Sequence, residues 1–507
     1  MLSRFRCVAV LLLCLLPMAL LPARQFHVMA YNVENLFDAD GVALFGDYQP
    51  GNPANPSPYS PRKLLTKIQN IAELARRFND GAGPEVILFQ ELELDRTPGS
   101  TVEDYHVFLE LYADTSVDEM LTGGFNEEIA GLPVEALLLK YFHDNGLTGY
   151  TVALPEHTEP LDQRPAHTNA VFTKFPITYA KTHHTPRARA IQEVGLDVDG
   201  NEFIVFNNHW KSGASHARTE SVRVRNARDL RSALEAVIAR NPSADILIGG
   251  DLNTNYNAKQ YFPTAQASTW HDTEDFAIDV LGSQGDEQAT RQGDRLLYNL
   301  WFELPVWQRG SELYQGGWST LMHMLVTPGM FDTQGIRYVD DSFCIIAVPG
   351  LNARGPWNAP IPWYFTSDTG GGHSDHFPIA AIFTTDHDTP LNEPSHRSPN
   401  GPAAIPMVNF RDVNITAIPH FTDLPDANPE TLAANFGNLY VVEGKLVQTR
   451  PYIIRVGEQH FQVYAYGGAV KDRLAKVKVG HPLRFIGQLD EYRGQPQFVV
   501  HDADWLR

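Results

Sequence analysis

The sequence predicts an α+β protein that consists of a layered α/β sandwich domain and a small, separate β-barrel. An amphipathic helical pattern at 63–78 lies between two apolar strand patterns, and such a strand–helix–strand unit is typical of layered α/β domains. Five short strand patterns with one short helix lie between 440 and 500, which favours a barrel of the oligonucleotide/oligosaccharide-binding (OB) kind. The length of 507 residues exceeds one typical core and so favours two domains.

The composition is that of an ordinary globular protein. Hydrophobic residues make up 43% of the chain and charged residues 20%. The formal net charge of −20 argues against a protein that holds nucleic acid through a broad basic surface. It does not exclude an enzyme that engages phosphate locally through a metal ion.

The N-terminal segment has the organisation of a secretory signal peptide. Arg4 and Arg6 precede an apolar run at 8–21, which is followed by a small residue suited to cleavage. We therefore predict that residues 1–24 are a signal peptide and that the mature protein is periplasmic or secreted, with an uncleaved anchor as the minor alternative. The mature chain keeps only Cys344, so no internal disulfide is expected.

Along residues 25–385, strand patterns alternate with helical patterns. Strands are predicted at 26–32, 85–91, 150–154, 167–174, 202–212, 246–248, 318–326, 342–346 and 376–383, and helices at 63–78, 133–143 and 218–240. The polar, Gly-rich segment 95–131 is predicted to be an insertion, and its role is not assigned.

A Pro- and Asn-rich segment at 386–407 is predicted to be a linker, and residues 408–507 form the predicted OB-like domain. Its strands are predicted at 440–447, 452–456, 461–466, 483–489 and 496–500, with a helix at 470–476. Several of its aromatic residues are candidates to stack on bases, with packing inside the barrel as the alternative: Tyr452, Phe461, Tyr464, Tyr466 and Tyr492.

The segment at 245–255 has the strongest chemical signal. Its buried strand ends in Gly249 and Gly250, where bulkier residues would hinder a close backbone approach, and Asp251 and Asn253 follow. The alternative is a strand followed by an ordinary Asx turn. Other strand ends and adjoining loops also carry polar residues, and together the set is Asn32, Glu91, Asn208, His209, Asp251, Asn253, Asp375 and His376. Glu91 and Asp375 supply the carboxylates that Mg²⁺ prefers.

At these positions the chain resembles the endonuclease/exonuclease/phosphatase family. The matching motifs are Ala30-Tyr-Asn-Val-Glu-Asn-Leu, Leu88-Phe-Gln-Glu91, Asn208-His-Trp-Lys-Ser212, Ile248-Gly-Gly-Asp-Leu-Asn253 and Ser374-Asp-His-Phe-Pro378. They span about 26–384, stand in the family's order and leave the C-terminal domain uncovered. The resemblance implies a DNase I-like four-layered sandwich, in which two packed β-sheets are flanked by helices. It also implies cleavage of phosphate esters with Mg²⁺, for which Mn²⁺ or Ca²⁺ are the alternatives.

The resemblance also assigns roles to individual residues. Glu91 would bind the metal, helped by Asn32 and Asp375, while Asp251 and Asn253 would orient the attacking water and a phosphate oxygen. His209 would be a general acid or a phosphate contact, and His376 would act as a base or stabilise the transition state. We name Asn169, Asn208 and Lys211 as candidate substrate contacts.

One residue departs from the family pattern. Met322 stands where the family has an Asp that orients the last histidine, here His376. A thioether cannot accept a strong hydrogen bond, so another acid is needed, and the sequence candidates are Asp340, Asp341 and Asp368. If no acid replaces the missing Asp, reduced or altered activity is expected.

From these observations we predict an exported, Mg²⁺-dependent phosphodiesterase. The favoured activity is that of a nuclease (an endonuclease) that hydrolyses DNA or RNA by attack of water on phosphate. Nucleic acid is then the substrate, and no stable membrane insertion is expected after signal cleavage. The alternatives are a phosphatase or sphingomyelinase-like phospholipase of the same fold, and a catalytically weakened binding protein, which Met322 favours.

Overall fold

The structure of the 507-residue chain is a computed structural model. It describes residues 24–506 except 45–47, 49–58, 159, 161–163, 215–216, 259–275, 293–294, 315–316, 356–357, 364–368, 388–417, 425–426, 466 and 493–494. The predicted signal peptide and nearly all of the predicted linker lie outside the described residues, so both stay predictions.

The sandwich domain contains eighteen strands among the described residues. In chain order they are β1 (Gln25–Leu36), β2 (Val86–Glu93), β3 (Thr151–Ala153), β4 (His167–Thr173), β5 (Ile177–His183), β6 (Ile191–Val198), β7 (Asn201–His209), β8 (Ile246–Asp251), β9 (Ser283–Gln284), β10 (Leu297–Asn299), β11 (Glu312–Tyr314), β12 (Gly317–Ser319), β13 (Met322–Val326), β14 (Arg337–Tyr338), β15 (Cys344–Ile345), β16 (Ala353–Arg354), β17 (Ala359–Pro360) and β18 (Ile379–Thr384).

These strands form two large sheets and two small hairpins. The first sheet has the order β14-β18-β1-β2-β4-β3, with β15 also paired to β18, and the second has the order β5-β6-β7-β8-β13-β10-β9. The pairs β1/β2 and β7/β8 are parallel, so their carboxyl ends lie at common sheet edges. The hairpins are β11–β12 and β16–β17.

The helices of the sandwich domain cover the outer faces of the two sheets. They are α1 (Pro61–Ala75), α2 (Tyr105–Leu111), α3 (Val117–Thr122), α4 (Glu127–Ala130), α5 (Val134–Asp144), α6 (Ala217–Ile238), α7 (Ala277–Val280) and α8 (Glu287–Gln292). Helix α1 begins after Ser60, whose side chain accepts the backbone N–H of Lys63, and Pro61 fills the first helical position.

Apolar alternation along the central strands explains the four layers. In β2, Leu88 faces the core between the sheets, whereas Ile87 and Phe89 face the layer that contains α1 and α5. In β8, Leu247 faces the same inner core and Ile248 packs toward α6. The predicted four-layered α/β sandwich is therefore confirmed.

Three local predictions differ from the structure. Strands β5 and β6 were not predicted, because β5 is a half-exposed edge strand and β6 contains the buried polar residues Gln192 and Glu193. Segment 95–131 is not a plain insertion, since it forms α2–α4 and contributes Phe108 and Met120 to the core with α1 and α5. Strand β1 does not end at Asn32, because it continues through an irregularity to Leu36.

The C-terminal domain is a closed barrel, as predicted. Its strands are β19 (Leu439–Thr449), β20 (Tyr452–Val456), β21 (Gln459–Ala465), β22 (Pro482–Tyr492) and β23 (Gln495–Val500), and its helices are α9 (Pro429–Ala434) and α10 (Gly467–Leu474). The strand order is β19-β20-β21-β23-β22, with β21 and β23 parallel. Phe461 packs against Phe421 and Phe498 in the barrel core, whereas Tyr464 and Tyr492 are about half exposed. Tyr466 lies outside the described residues.

The barrel packs against the two small hairpins of the sandwich domain. Ala359 of β17 belongs to the barrel's hydrophobic core, and Leu313 of β11 packs against that core. Arg354 Nη2 is 2.7 Å from Asp490 Oδ1 on β22. The barrel therefore shares apolar and ionic contacts with elements that also approach the candidate site. Among the described helices, none combines the length and the apolar character needed to cross a membrane.

Candidate active site

The end of β8 allows an unusually close approach of its neighbours. Gly250 has a φ of +113°, and a Cβ there would lie 2.2 Å from the carbonyl oxygen of Asn208 on β7. A Cβ at Gly249 would lie 2.5 Å from Leu88 Cδ1 on the facing sheet. Asp251 Oδ1 accepts the backbone N–H of Asn253 at 2.8 Å, so the Asx turn is present. The second carboxylate oxygen of Asp251 remains for the site.

Asn32 brings two carboxylates together at the centre of this site. Its Nδ2 donates to Glu91 Oε1 and to Asp251 Oδ2, both at 3.1 Å. Its Oδ1 accepts the backbone N–H of Glu34 at 3.0 Å. Asn32 therefore joins β1 to the ends of β2 and β8, and its predicted role as a metal ligand stays a prediction.

The surroundings of Glu91 keep its side chain ionised. Burial alone would raise the pKa of Glu91, but His167, Arg189 and His376 outweigh that effect and hold the pKa below its usual value. Its backbone φ is +64°, a conformation that a residue with a Cβ rarely adopts. Such a strained backbone is a feature of functional sites.

His209 lies beside both central carboxylates. Its Nε2 is 3.6 Å from Glu91 Oε1 and 3.5 Å from Asp251 Oδ2. Burial and the positive charge of Arg189 lower the pKa of His209 well below its usual value, so the imidazole is neutral. A neutral ring favours the predicted role of phosphate contact over that of general acid. Arg189 donates its backbone N–H to the His209 carbonyl at 3.2 Å.

The loop that carries Asp375 and His376 is fixed by β1. Glu34 Oε2 accepts the backbone N–H of Trp363 at 2.6 Å and that of Asp375 at 2.7 Å. Ser374 Oγ donates to the Asn32 carbonyl at 2.7 Å. These bonds place the Asp375 side chain, which is 53% exposed, at the mouth of the site.

A buried ammonium group supports the same loop. Lys67 is fully buried, donates to the carbonyl of His373 and lies 4.6 Å from the centre of the Trp363 ring. Burial lowers the pKa of Lys67 to about 7, even though Glu34 and Asp375 act in the opposite direction. The charge of Lys67 therefore lies among the carboxylates on the first-sheet side of the site.

His376 faces three carboxylates. Its Nε2 is 3.3 Å from Glu312 Oε2, 3.7 Å from Asp375 Oδ1 and 4.0 Å from Asp251 Oδ2. Burial would lower the pKa of His376, but Asp375, Glu312 and Asp251 outweigh it and raise the pKa to about 10. A protonated His376 suits the predicted stabilisation of the transition state better than the predicted role of base.

In the structure, the acid that contacts His376 is not one of those that the sequence suggested. Asp340 and Asp341 lie beside Tyr298 and Glu303, where their charges raise the pKa of Glu303 in addition to burial, so both suggestions are wrong. Asp368 lies outside the described residues. Glu312 of β11, which the sequence did not indicate, is the carboxylate in contact with the histidine.

The three candidate substrate contacts have different surroundings. Both polar ends of Asn208 are engaged within the protein, because Nδ2 donates to the Phe206 carbonyl and Oδ1 accepts the indole N–H of Trp210. Asn169 Nδ2 donates to the Ala190 carbonyl, and its buried Oδ1 has no hydrogen-bond partner. Lys211 is partly exposed, with Nζ 3.1 Å from Ser212 Oγ. A substrate contact is best placed at Lys211, and the roles of all three residues stay predictions.

Residues 166–385 match the sequence model of the Endonuclease/Exonuclease/phosphatase family. Over this range the chain is similar to that family. No curated protein matches the chain.

Solved structures similar to the chain include three with low identity. TDP2 from C. elegans is 13% identical, with 71% of this chain and 75% of that chain covered and a TM-score of 0.36. An endonuclease/exonuclease/phosphatase family protein from Bacteroides thetaiotaomicron is 12% identical, with 73% and 99% covered and a TM-score of 0.38. A beta toxin from Staphylococcus aureus is 14% identical, with 70% and 99% covered and a TM-score of 0.36. Likenesses this weak carry no information about substrate.

Members of the endonuclease/exonuclease/phosphatase family are phosphoric ester hydrolases that typically depend on a divalent metal. In the described part of the chain, no three His, Cys, Asp or Glu side chains already stand in a metal-binding arrangement. The donor chemistry nevertheless fits a hard cation, because Glu91 is ionised and its charge acts on the neighbouring Asp375 carboxylate. Glu91 and Asp375 are the residues that would hold the ion.

Several functional neighbours were not found from the sequence. Arg189 donates from Nη2 to His167 Nδ1 at 3.0 Å and acts electrostatically on Glu91, yet its segment shows no family motif. The basic stretch Arg187-Ala-Arg189 before β6 was the only signal available. Glu312 had no local signal, because its role depends on a hairpin that meets His376 from a distant part of the chain.

Proposed function

We propose that the chain is an exported, Mg²⁺-dependent phosphodiesterase that acts as a nuclease on DNA or RNA. One observation carries the proposal: the carboxylates of Glu91 and Asp251 are joined by the amide of Asn32 and flanked by His209 and His376. This is a group of oxygen donors and proton carriers suited to attack of water on a phosphate. The pattern of the first residues of the sequence supports export.

Each residue of the site would have a separate role in the reaction. Burial raises the pKa of Asp251, which increases the affinity of this carboxylate for a proton taken from water. His376 would place positive charge beside the phosphate oxygens, and His209 would donate its ring N–H to one of them. A bound Mg²⁺ at Glu91 and Asp375 would offset further negative charge on those oxygens.

A local group of cations supports a polyanionic substrate. Burial lowers the pKa of Lys211, and the charges of Arg187 and Arg189 lower it further, so these three cations lie near one another. In a chain with a net charge of −20, such a group is a specific place for phosphates beside the reacting one. The exposed Tyr464 and Tyr492 of the barrel add two aromatic surfaces on which bases can stack.

The alternative of a catalytically weakened binding protein loses its main support. It rested on Met322, but the contact between Glu312 and His376 supplies the carboxylate that the histidine otherwise lacks. A phosphatase or sphingomyelinase-like phospholipase would use the same central residues. Only the choice of substrate distinguishes these activities from a nuclease.

A substrate panel tests the proposal. The full-length protein is incubated with plasmid, single-stranded DNA, RNA, sphingomyelin and phosphomonoesters, each with Mg²⁺ and with a chelator. We expect Mg²⁺-dependent cleavage of nucleic acid that is lost in Asp251→Asn and retained in the surface variant Glu443→Gln. Preferential hydrolysis of sphingomyelin or a phosphomonoester would show that the protein has that activity and is not a nuclease. Cleavage that persists in chelator would contradict the metal requirement.

A further inference from the structure

Met322 supplies no carboxylate from its own strand. Met322 is fully buried, contributes to the core between the two sheets and lies opposite Asp251 in the pairing of β13 with β8. Its carbonyl accepts the indole N–H of Trp301 at 2.8 Å. The strand that carries the orienting acid in the family thus carries an apolar side chain here, so an orienting acid must come from another element.

Hairpin β11–β12 brings such an acid to His376. Glu312 and His376 form an antiparallel β-bridge, and the carbonyl of Ser311 accepts the backbone N–H of Phe377 at 2.6 Å. Ser311 Oγ also accepts the backbone N–H of Met322 at 3.2 Å. The hairpin is therefore bonded both to the strand that lacks the acid and to the segment that carries the histidine.

Of the three carboxylates around His376, Glu312 is the nearest. Asp251 already accepts hydrogen bonds from Asn32 and Asn253, and Asp375 is half exposed at the mouth of the site. The Glu312 side chain is only 14% exposed. A carboxylate buried to this extent is costly unless it is paired, and the imidazole is the basic group in contact with it.

We propose that Glu312 has taken over the task of the missing family acid and is the positioning residue of His376. The orienting carboxylate has moved from β13 to a neighbouring hairpin, while its partner histidine has stayed in place. The inference rests on the proposed phosphodiesterase function, because it assigns a task within that site. Glu312 acts through His376 and has no direct role on the substrate.

Relocation of the acid back to β13 tests this inference. Glu312→Gln should lower kcat on a small phosphodiester by up to about 10²–10³-fold, the range typical of losing one electrostatic stabiliser of the transition state, with KM changed by less than about threefold. Adding Met322→Asp to Glu312→Gln should recover at least about tenfold of the loss, because the acid then stands at the family position. Glu312→Asp should keep more activity than Glu312→Gln, and the surface variant Glu443→Gln should match the wild type.

A second measurement does not depend on having found a substrate. With ¹⁵N-labelled histidine, a downfield ring N–H proton of His376, assigned by its loss in His376→Asn, should be present in the wild type. It should be missing in folded Glu312→Gln and return in the double variant. If that proton and kcat are both unchanged in Glu312→Gln, the positioning role is wrong. If the wild type cleaves nothing on the panel while the proton follows the carboxylate as described, the proposed function fails and the pairing stands.

Discussion

Replacement of Asn32 is the most direct test of how the site is assembled. The Asn32 amide makes two hydrogen bonds to carboxylates, with Glu91 and with Asp251, each of 3.1 Å. A hydrogen bond to a charged group contributes about 1.5–3 kcal/mol, so two contribute about 3–6 kcal/mol. If both are needed in the transition state, Asn32→Ala should lower kcat/KM by about 10²–10⁴-fold, at about 1.4 kcal/mol for each factor of ten. The kcat/KM of Asn32→Asp should be lower still, because this variant adds a third carboxylate between those of Glu91 and Asp251.

The assay is cleavage of the best substrate of the panel at saturating Mg²⁺, with the melting temperature measured beside it. A matched control is Asn299→Ala, since Asn299 is equally buried and makes comparable hydrogen bonds to Ser283 and Trp301 outside the site. We expect the control to lose stability and keep kcat/KM. The reasoning is refuted if folded Asn32→Ala keeps more than about one tenth of the wild-type kcat/KM, because the amide would then not be holding the carboxylates for catalysis.

Three further predictions concern other parts of the molecule. Met322→Asp on its own should not raise cleavage, because Glu312 already contacts the histidine; a clear gain would mean that this contact is not productive. Burial lowers the pKa of His501 to about 3, so barrel stability should fall as the pH drops from about 6.5 toward 3, where only the unfolded chain takes up the proton. The decrease in melting temperature between about pH 7.5 and about pH 5 should therefore be smaller in His501→Gln than in the wild type. An equal decrease would contradict the lowered pKa of His501. Arg354→Met should remove the ion pair between Arg354 and Asp490 that joins barrel and sandwich. The loss should destabilise this contact by up to about 3–5 kcal/mol, and by less to the extent that water screens the partly exposed pair. Unchanged thermal unfolding would show that the ion pair contributes nothing to stability.

The central residues of the site were predictable because each lies at or near the end of an apolar strand pattern. Asn32 and Asp251 come after apolar runs on β1 and β8, and Glu91 lies near the end of β2. Strands β1 and β2 are parallel neighbours, so their patterns place Asn32 and Glu91 at one sheet edge, whereas the meeting with Asp251 of the second sheet was implied by the resemblance to the family. The resemblance to the family implied the four layers, and the structure explains them, because apolar residues on both faces of β2 and β8 require cover on both sides.

The remainder depended on pairings that no local pattern encodes. Glu312 reaches His376 through a bridge between distant segments, and Arg189 reaches Glu91 from a loop before β6. Strand β5 was missed because a half-exposed edge strand has only a weak apolar alternation. The helices within 95–131 were missed because their few apolar residues are separated by polar turns, although Phe108 and Met120 are buried.

The contact between barrel and hairpin has a consequence for the order in which the enzyme is made. Leu313, next to Glu312, packs against the core of a barrel whose strands come later in the chain than the described residues of the candidate site. A growing chain therefore presents Asn32, Glu91 and Asp251 long before the support of Glu312 exists. The packing that supports Glu312 is therefore expected to form only after the barrel strands have been synthesised and folded.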